Sequence, residues 1–248
     1  MPLFPNRPQK EGPLLAAEPD EARKVQVRTE QIAMVMQPRG QIAEQFRSLR
    51  NSIIALNPEG APRSIVMTSA LRGEGKSVAT INLAIAMAEI QGARILLLDA
   101  DLHHPSIERY LGLPRRQGLV ELVRGTCPID RAVRPTSIPN VSLLGPGELP
   151  HNPSELLGTD RVTTVLGQLK QRFSYILIDT PEALTISDAA QLGSLADGIV
   201  LVVRLGSTAR HHVEQTYNTL ETMGGNVLGT CLTSARIEDT SAHYAERA

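Results

Sequence analysis

Tryptophan is absent, and aromatic residues make up only 3% of the 248 residues. Single-stranded nucleic acid is bound largely by stacking bases on aromatic side chains, so this scarcity excludes that class of activity. An excess of one charge is also missing. Lys and Arg number 25, Asp and Glu 26, and the formal net charge is −1. No global attraction to nucleic acid or anionic lipid follows from such a balance. There are two cysteines, Cys127 and Cys231. They supply neither a disulfide framework, nor metal spacing, nor the paired ligands of an iron–sulfur cluster, and are expected to be reduced, partly buried thiols. No apolar run approaches the ~20 residues of a membrane span. The opening MPLFPNRPQKEG lacks the basic-then-apolar order of a signal peptide. These absences lead to the expectation of a cytoplasmic protein that reaches a membrane only through a partner.

What is present begins near residue 40. Residues 1–38 are rich in proline and polar side chains and are read as a disordered tail, with VQVR (25–28) a candidate strand. QIAEQFRSLRNSIIAL then places Ile42, Phe46, Leu49 and Ile53 on one helical face, closed by Asn57-Pro58-Glu59-Gly60. Residues 39–60 are thus a helical arm. Over 61–235, strand-like runs at 64–69, 94–100, 141–145, 175–180, 198–204 and 227–233 alternate with helical segments near 76–91, 155–172, 186–195 and 208–223. Several of the runs are apolar throughout, as strands buried on both faces must be. The alternation predicts a doubly wound, mainly parallel α/β sheet flanked by helices. Residues 236–248 are polar and read as a second tail.

The stretch SALRGEGKS (69–77) joins a strand to an apolar helix. It fits G-x-x-x-x-G-K-[ST] except that Ala70 stands at the first glycine. Gly73 and Gly75 let backbone N–H groups approach phosphate oxygens without an intervening Cβ. Lys76 would reach the terminal phosphates. Ser77 would offer its hydroxyl to Mg²⁺ and begin a helix whose positive end faces the anion. Two more strands end in carboxylates: ILLLDAD in Asp99 and Asp101, YILIDTP in Asp179. Ligands of open parallel sheets sit beyond strand carboxyl ends, and carboxylates there suit Mg²⁺. A single strand-end Asp could equally cap a helix or form a turn; three beside a phosphate loop point to metal and phosphate.

SALRGEGKS, LLLDADLHHP and ILIDTP together resemble the three nucleotide motifs of the bacterial tyrosine kinases, P-loop enzymes of capsule and exopolysaccharide export with a Walker A′ motif. LPHNPSELL (149–157) resembles that family's N-P-x-E-L-L segment, and SDAAQLGSLADGIVLVVRLGST (187–208) the stretch after its last acidic motif. EQFRSLR (44–50) matches its E-x-x-R-x-x-R oligomerisation motif. The likeness covers about residues 40–235. It implies an ATP- and Mg²⁺-dependent protein-tyrosine kinase that binds ATP or ADP through Leu71, Arg72, Gly73, Glu74, Gly75, Lys76, Ser77, Val78 and Thr233. Lys76, Asp99, Asp101 and Asp179 are the implied catalytic set, with Ser77, Asp99 and Asp179 serving the metal. Glu44, Arg47 and Arg50 would form the contact of a homo-oligomeric ring. A membrane polysaccharide co-polymerase would activate the kinase from the inner face of the plasma membrane.

The pattern breaks in three places. The family's C-terminal tyrosine cluster is reduced to Tyr244, since Tyr110, Tyr175 and Tyr217 lie inside the predicted domain. The usual D-x-D-x-R reads Asp99-Ala100-Asp101-Leu102-His103, an imidazole in place of a permanent cation. Thr233 and Ser234 stand where an asparagine near the adenine is common. Two other readings compete with the kinase. A partitioning ATPase of the ParA/MinD kind would carry a lysine where this chain has Leu71. An ATP-binding assembly regulator without kinase activity would fit the sparse tyrosines.

Overall fold

Alternate residues of a central strand face opposite layers, which is why such strands read as unbroken apolar runs. The computed structural model describes residues 30–56 and 64–234. Its strands are β1 (Ser64–Ser69), β2 (Ile95–Asp99), β3 (Val133–Pro135), β4 (Val141–Leu144), β5 (Tyr175–Asp179), β6 (Gly198–Arg204) and β7 (Val227–Thr233). They form one sheet in the order β3-β4-β2-β5-β1-β6-β7. All neighbours are parallel except β3, which pairs antiparallel with β4 at the edge.

Met67, Leu97 and Leu177 point to one face, where α1 (Ala33–Met36), α2 (Gln41–Ala55), α3 (Lys76–Ala88) and α4 (Ile107–Leu111) pack. Val66, Leu96 and Ile176 point to the other. That face carries α5 (Leu119–Arg124), α6 (Ile129–Ala132), α7 (Pro153–Leu157), α8 (Asp160–Arg172), α9 (Asp188–Leu195) and α10 (Arg210–Thr222). Each fully buried aliphatic side chain in these layers contributes about 1.5–3 kcal/mol. The expected doubly wound α/β sheet is therefore present. Both cysteines are free and buried.

The register places the site. β2 and β5 pair Asp99 with Asp179, and β1 pairs Met67 with Asp179 before running on to Ser69. The carboxyl ends of three adjacent central strands thus meet at one edge of the sheet.

Four local readings differ from expectation. The tail expected through residue 38 is packed from Ile32 onward. Ile32 and Met34 are buried, the Met34 N–H donates to Asn82 Oδ1 at 3.0 Å, and Asn82 Nδ2 donates to Gln31 O. Two apolar side chains and one amide suffice to hold this segment on α3. Within α2, Ile42 is 53% exposed while Ala43 is fully buried. The small Ala43 side chain lets α2 approach α3 closely, which rotates the packing stripe toward Ala43, Phe46 and Ile53. The helix expected over 155–172 breaks into α7 and α8, because Thr159 is extended (φ −84°, ψ 148°) and starts a new helix after Gly158. Short α4, α5 and α6 and the edge strand β3 fill a stretch that shows no long periodicity. The candidate strand at 25–28, the turn at 57–60 and the C-terminal tail with Tyr244 lie outside the described residues.

Candidate functional site

The phosphate loop is shaped by two left-handed glycines, Gly73 at φ +85° and Gly75 at φ +92°. An L-side chain there would be strained. Ala70, in contrast, is fully buried and accommodated, so the missing first glycine is no defect. Gly75 is the N-cap of α3, and the first intrahelical bond runs from the Ala79 N–H to Gly75 O. The N–H groups of Lys76, Ser77 and Val78 have no acceptor within the helix and are the donors that a phosphate would take.

The loop is braced from behind by Glu74, only 3% exposed. Its Oε2 accepts from the Leu71 N–H at 3.1 Å, and the Thr208 hydroxyl donates to Oε1. The Thr233 hydroxyl donates to Glu74 O at 2.7 Å, and Thr233 packs against Gly75. Arg204 Nη1 donates to Gly73 O at 3.4 Å. Glu74, Leu71 and Thr233, expected to touch nucleotide, are thus tied to one another in the frame of the loop. Arg72 is exposed, and Val78 packs partly into the core.

Lys76 is 7% exposed, and Asp99 and Asp179 are completely buried. Asp99 divides its carboxylate. Oδ2 accepts from the N–H groups of Ser106 and Ile107, both at 3.0 Å, and so holds the start of α4. Oδ1 is buried without a hydrogen-bond partner among the described residues. In Asp179, Oδ1 lies 3.5 Å from the Thr80 hydroxyl and Oδ2 is likewise buried without a partner. Such orphaned oxygens are costly and mark a place for a cation or proton. Burial pushes the Asp99 carboxyl well above the ordinary carboxylate range, and Asp179 and Asp101 push it further. Burial raises Asp179 to about 7, with the nearby Ser77 hydroxyl and Lys76 ammonium pulling the other way. Asp101 is 6% exposed and accepts from the His104 N–H at 2.8 Å. Lys76, Ser77, Asp99, Asp101 and Asp179 are therefore brought together, as the motifs imply.

The AAA domain family pattern (AAA_31) matches residues 63–228. The tyrosine-protein kinase YwqD of Bacillus subtilis (strain 168) is 31% identical over 212 residues, covering 86% of this chain and 89% of YwqD. The chain belongs to the bacterial tyrosine kinase family. The putative tyrosine-protein kinase CapB of Staphylococcus aureus is 30% identical over 207 residues, covering 84% of this chain and 90% of CapB. The kinase domain of the Escherichia coli tyrosine kinase ETK superposes with a TM-score of 0.77 at 26% identity, covering 83% of this chain and 82% of that domain.

In this bacterial tyrosine kinase chain the arginines of α2 are engaged internally. Arg47 pairs with Glu44 and, through Nε and Nη2, with Glu89 of the α3 C-cap; Arg50 Nη1 reaches Glu89 and Ala86 O at 3.0 Å. The Arg47 and Arg50 side chains are only 21% and 16% exposed. Arg47 holds the Glu89 carboxyl below its ordinary range, with Arg50 adding to the effect. The i,i+3 pair of Glu44 and Arg47 is one edge of a network of Glu44, Arg47, Arg50 and Glu89. Glu89 lies 39 residues from Arg50 in the chain, and no local pattern announces it. Asp188, in the first turn of α9, is likewise announced by no local pattern: its partners His103 and Ser154 lie 85 and 34 residues away.

Proposed function

We propose that this chain transfers the γ-phosphoryl group of ATP to tyrosine hydroxyls and regulates capsule or exopolysaccharide synthesis. The observation that carries this reading is the pair of orphaned carboxylate oxygens, Asp99 Oδ1 and Asp179 Oδ2, on two residues paired in register, with Asp179 lying beside Lys76 and Ser77. The donor set is all hard oxygen and fits Mg²⁺. Among the described residues, no three His, Cys, Asp or Glu side chains gather into a metal site of their own. That suits an ion held by Ser77, Asp99 and Asp179 together with nucleotide phosphates. The ion would neutralise charge on the transferring phosphoryl group. Lys76 and the α3 amides would fix the phosphates, and Asp101 would orient and draw the proton from the incoming phenol.

The wider setting is part of the same proposal. Among the described residues no helix is long and apolar enough to cross a membrane. Membrane association would run through a polysaccharide co-polymerase that activates the kinase, and Glu44, Arg47 and Arg50 would support a ring. Substituting all three by Ala is expected to convert the assembled form to monomer in light-scattering mass measurements, with ATP binding retained. An unchanged mass would remove these residues from the interface.

The assembly-regulator reading is favoured by one observation. Tyr175 is buried, the Tyr217 hydroxyl donates to Glu221, and Tyr110 lies under the Arg109 guanidinium. None of the three offers a free hydroxyl on an extended segment, which leaves Tyr244. The deciding experiment incubates the full chain with Mg-ATP, with and without the co-polymerase cytoplasmic tail, and measures phosphotyrosine and free phosphate separately. Hydrolysis without phosphotyrosine under either condition would establish the regulator instead. Tyr244→Phe is expected to remove most autophosphorylation, and an undiminished signal would locate the acceptor elsewhere.

A further inference from the structure

Three side chains to which the nucleotide chemistry assigns no role, His103, Ser154 and Asp188, meet from three segments. Asp188, in the first turn of α9, is completely buried. The Ser154 hydroxyl, from α7, donates to its Oδ1. His103 Nε2, from the loop after β2, lies 3.1 Å from its Oδ2. A carboxylate only accepts, so with Asp188 in that form Nε2 is the donor of this contact. Burying a carboxylate costs several kcal/mol unless its oxygens are satisfied, and here both are.

The loop so anchored is the one that shapes the site. It carries Asp101 two residues before His103. At its far end, the N–H groups of Ser106 and Ile107 hold Asp99. Asp101 itself binds the His104 N–H. The loop is thus pinned at 106–107 by Asp99 and at 103 by Asp188, and Asp101 lies between the end of β2 at Asp99 and the pin at 103. The second pin is also where the sequence departs from the family's arginine.

We propose that Asp188 is a positioning residue for phosphoryl transfer: through His103 it fixes the 100–106 loop and hence the placement of Asp101. His103 serves there as a hydrogen-bond donor aimed at a buried acceptor, a task that an arginine can also perform. The inference rests on the kinase reading for its physiological meaning. Free-phosphate release tests it separately, because that reaction uses the same loop.

The test compares Asp188→Asn, His103→Ala, His103→Arg and the double variant His103→Arg/Asp188→Asn in the full chain. Turnover and KM for Mg-ATP, phosphotyrosine formation and affinity for a fluorescent ADP analogue are measured. Misplacing a reacting group by about 1 Å can cost on the order of 100-fold, so Asp188→Asn and His103→Ala are expected to lower kcat by about 10- to 100-fold. ADP affinity should stay within about twofold, since the Glu74-braced phosphate loop is untouched; a twofold change is only ~0.4 kcal/mol. His103→Arg should keep kcat near wild type when Asp188 is present and give no rescue when it is Asn. Wild-type kcat in either Asp188→Asn or His103→Ala would overturn the proposal, as would parallel losses of kcat and ADP affinity. Equal activity of His103→Arg with and without Asp188 would also overturn it. Should Asp188→Asn fail to fold, the contrast between His103→Ala and His103→Arg decides alone. Hydrolysis without phosphotyrosine in the wild type would sink the kinase reading while the kcat comparison still judges Asp188.

Discussion

Lys76→Met is expected to abolish both phosphotyrosine formation and phosphate release. Lys76 is almost buried at the first position of α3, directly after the Gly73–Gly75 turn and close enough to act on Asp179. Its side chain acts electrostatically on Asp179 and stands at the start of the helix whose free N–H groups would meet the phosphates. Removing one preorganised charge-stabilising donor from such a site costs about 10²- to 10³-fold in turnover. The loss here should reach the upper part of that range, because two effects add. The phosphates lose their counter-charge, and Asp179 loses the cation that draws its carboxyl downward, so it gives up its proton to Mg²⁺ less readily. Methionine matches the lysine stem in length and helix preference, so the fold should survive. An unchanged melting temperature with both signals gone is the expected outcome. Survival of either signal above a tenth of wild type would mean that another loop binds the phosphates. Ala70→Gly provides the contrast: Ala70 is fully buried at the start of the loop, and restoring the glycine should leave turnover unaltered.

Sequence alone carried the frame of this site because its chemistry is local. A strand, a glycine turn and a helix start fall within nine residues, and acidic residues close apolar runs at Asp99 and Asp179. Those readings need only periodicity and the rule that ligands sit at strand carboxyl ends. What stayed hidden depends on contacts between distant segments. Glu89 joins Arg47 and Arg50 only because Ala43 lets α2 settle onto α3. Asp188 meets His103 across 85 positions of chain. The packed segment at Ile32–Met36 was masked by the prolines before it, since composition averages over a window while burial is decided by single side chains. Glu74 shows a further limit. A charged residue inside a phosphate loop reads as exposed or ligand-facing, yet here it is internal scaffold holding the Leu71 N–H.

Asp99→Asn is expected to make the metal- and nucleotide-free protein more stable at pH 8 while removing phosphoryl transfer. The sign follows from the direction of the shifts. Asp99 is pushed well above the ordinary carboxylate range and Asp179 to about 7. An acid with a raised folded-state pKa holds more protons folded than unfolded between the two values, so stability falls as pH rises. The favourable contribution is complete below about pH 4, the unfolded carboxylate value, and is lost as pH climbs through the folded values. Wild-type protein should therefore unfold at lower urea concentration at pH 8 than at pH 5. For Asp179 alone, a rise from 3.8 to about 7 corresponds to roughly 4 kcal/mol across that window. In Asp99→Asn the side-chain oxygen can still accept from the Ser106 and Ile107 N–H groups, and the new amide can donate toward Asp179. The variant should gain on the order of 1–3 kcal/mol over wild type at pH 8, the cost of a buried unpaired polar charge removed. At pH 5 the difference between the two proteins should be smaller than at pH 8, because the stability that burial of the Asp99 charge removes is lost progressively as pH rises. A variant equally stabilised at both pH values would show that the gain has nothing to do with charge. The same substitution removes one of the oxygens proposed to meet Mg²⁺, and turnover should drop by at least about 10²-fold. Stability and activity then move in opposite directions at one atom, as expected where two carboxylates are held close together and buried so that a cation can complete them. Adding Mg-ATP to wild-type protein in weak buffer near pH 7 should release protons from this pair, and Asp99→Asn should release fewer.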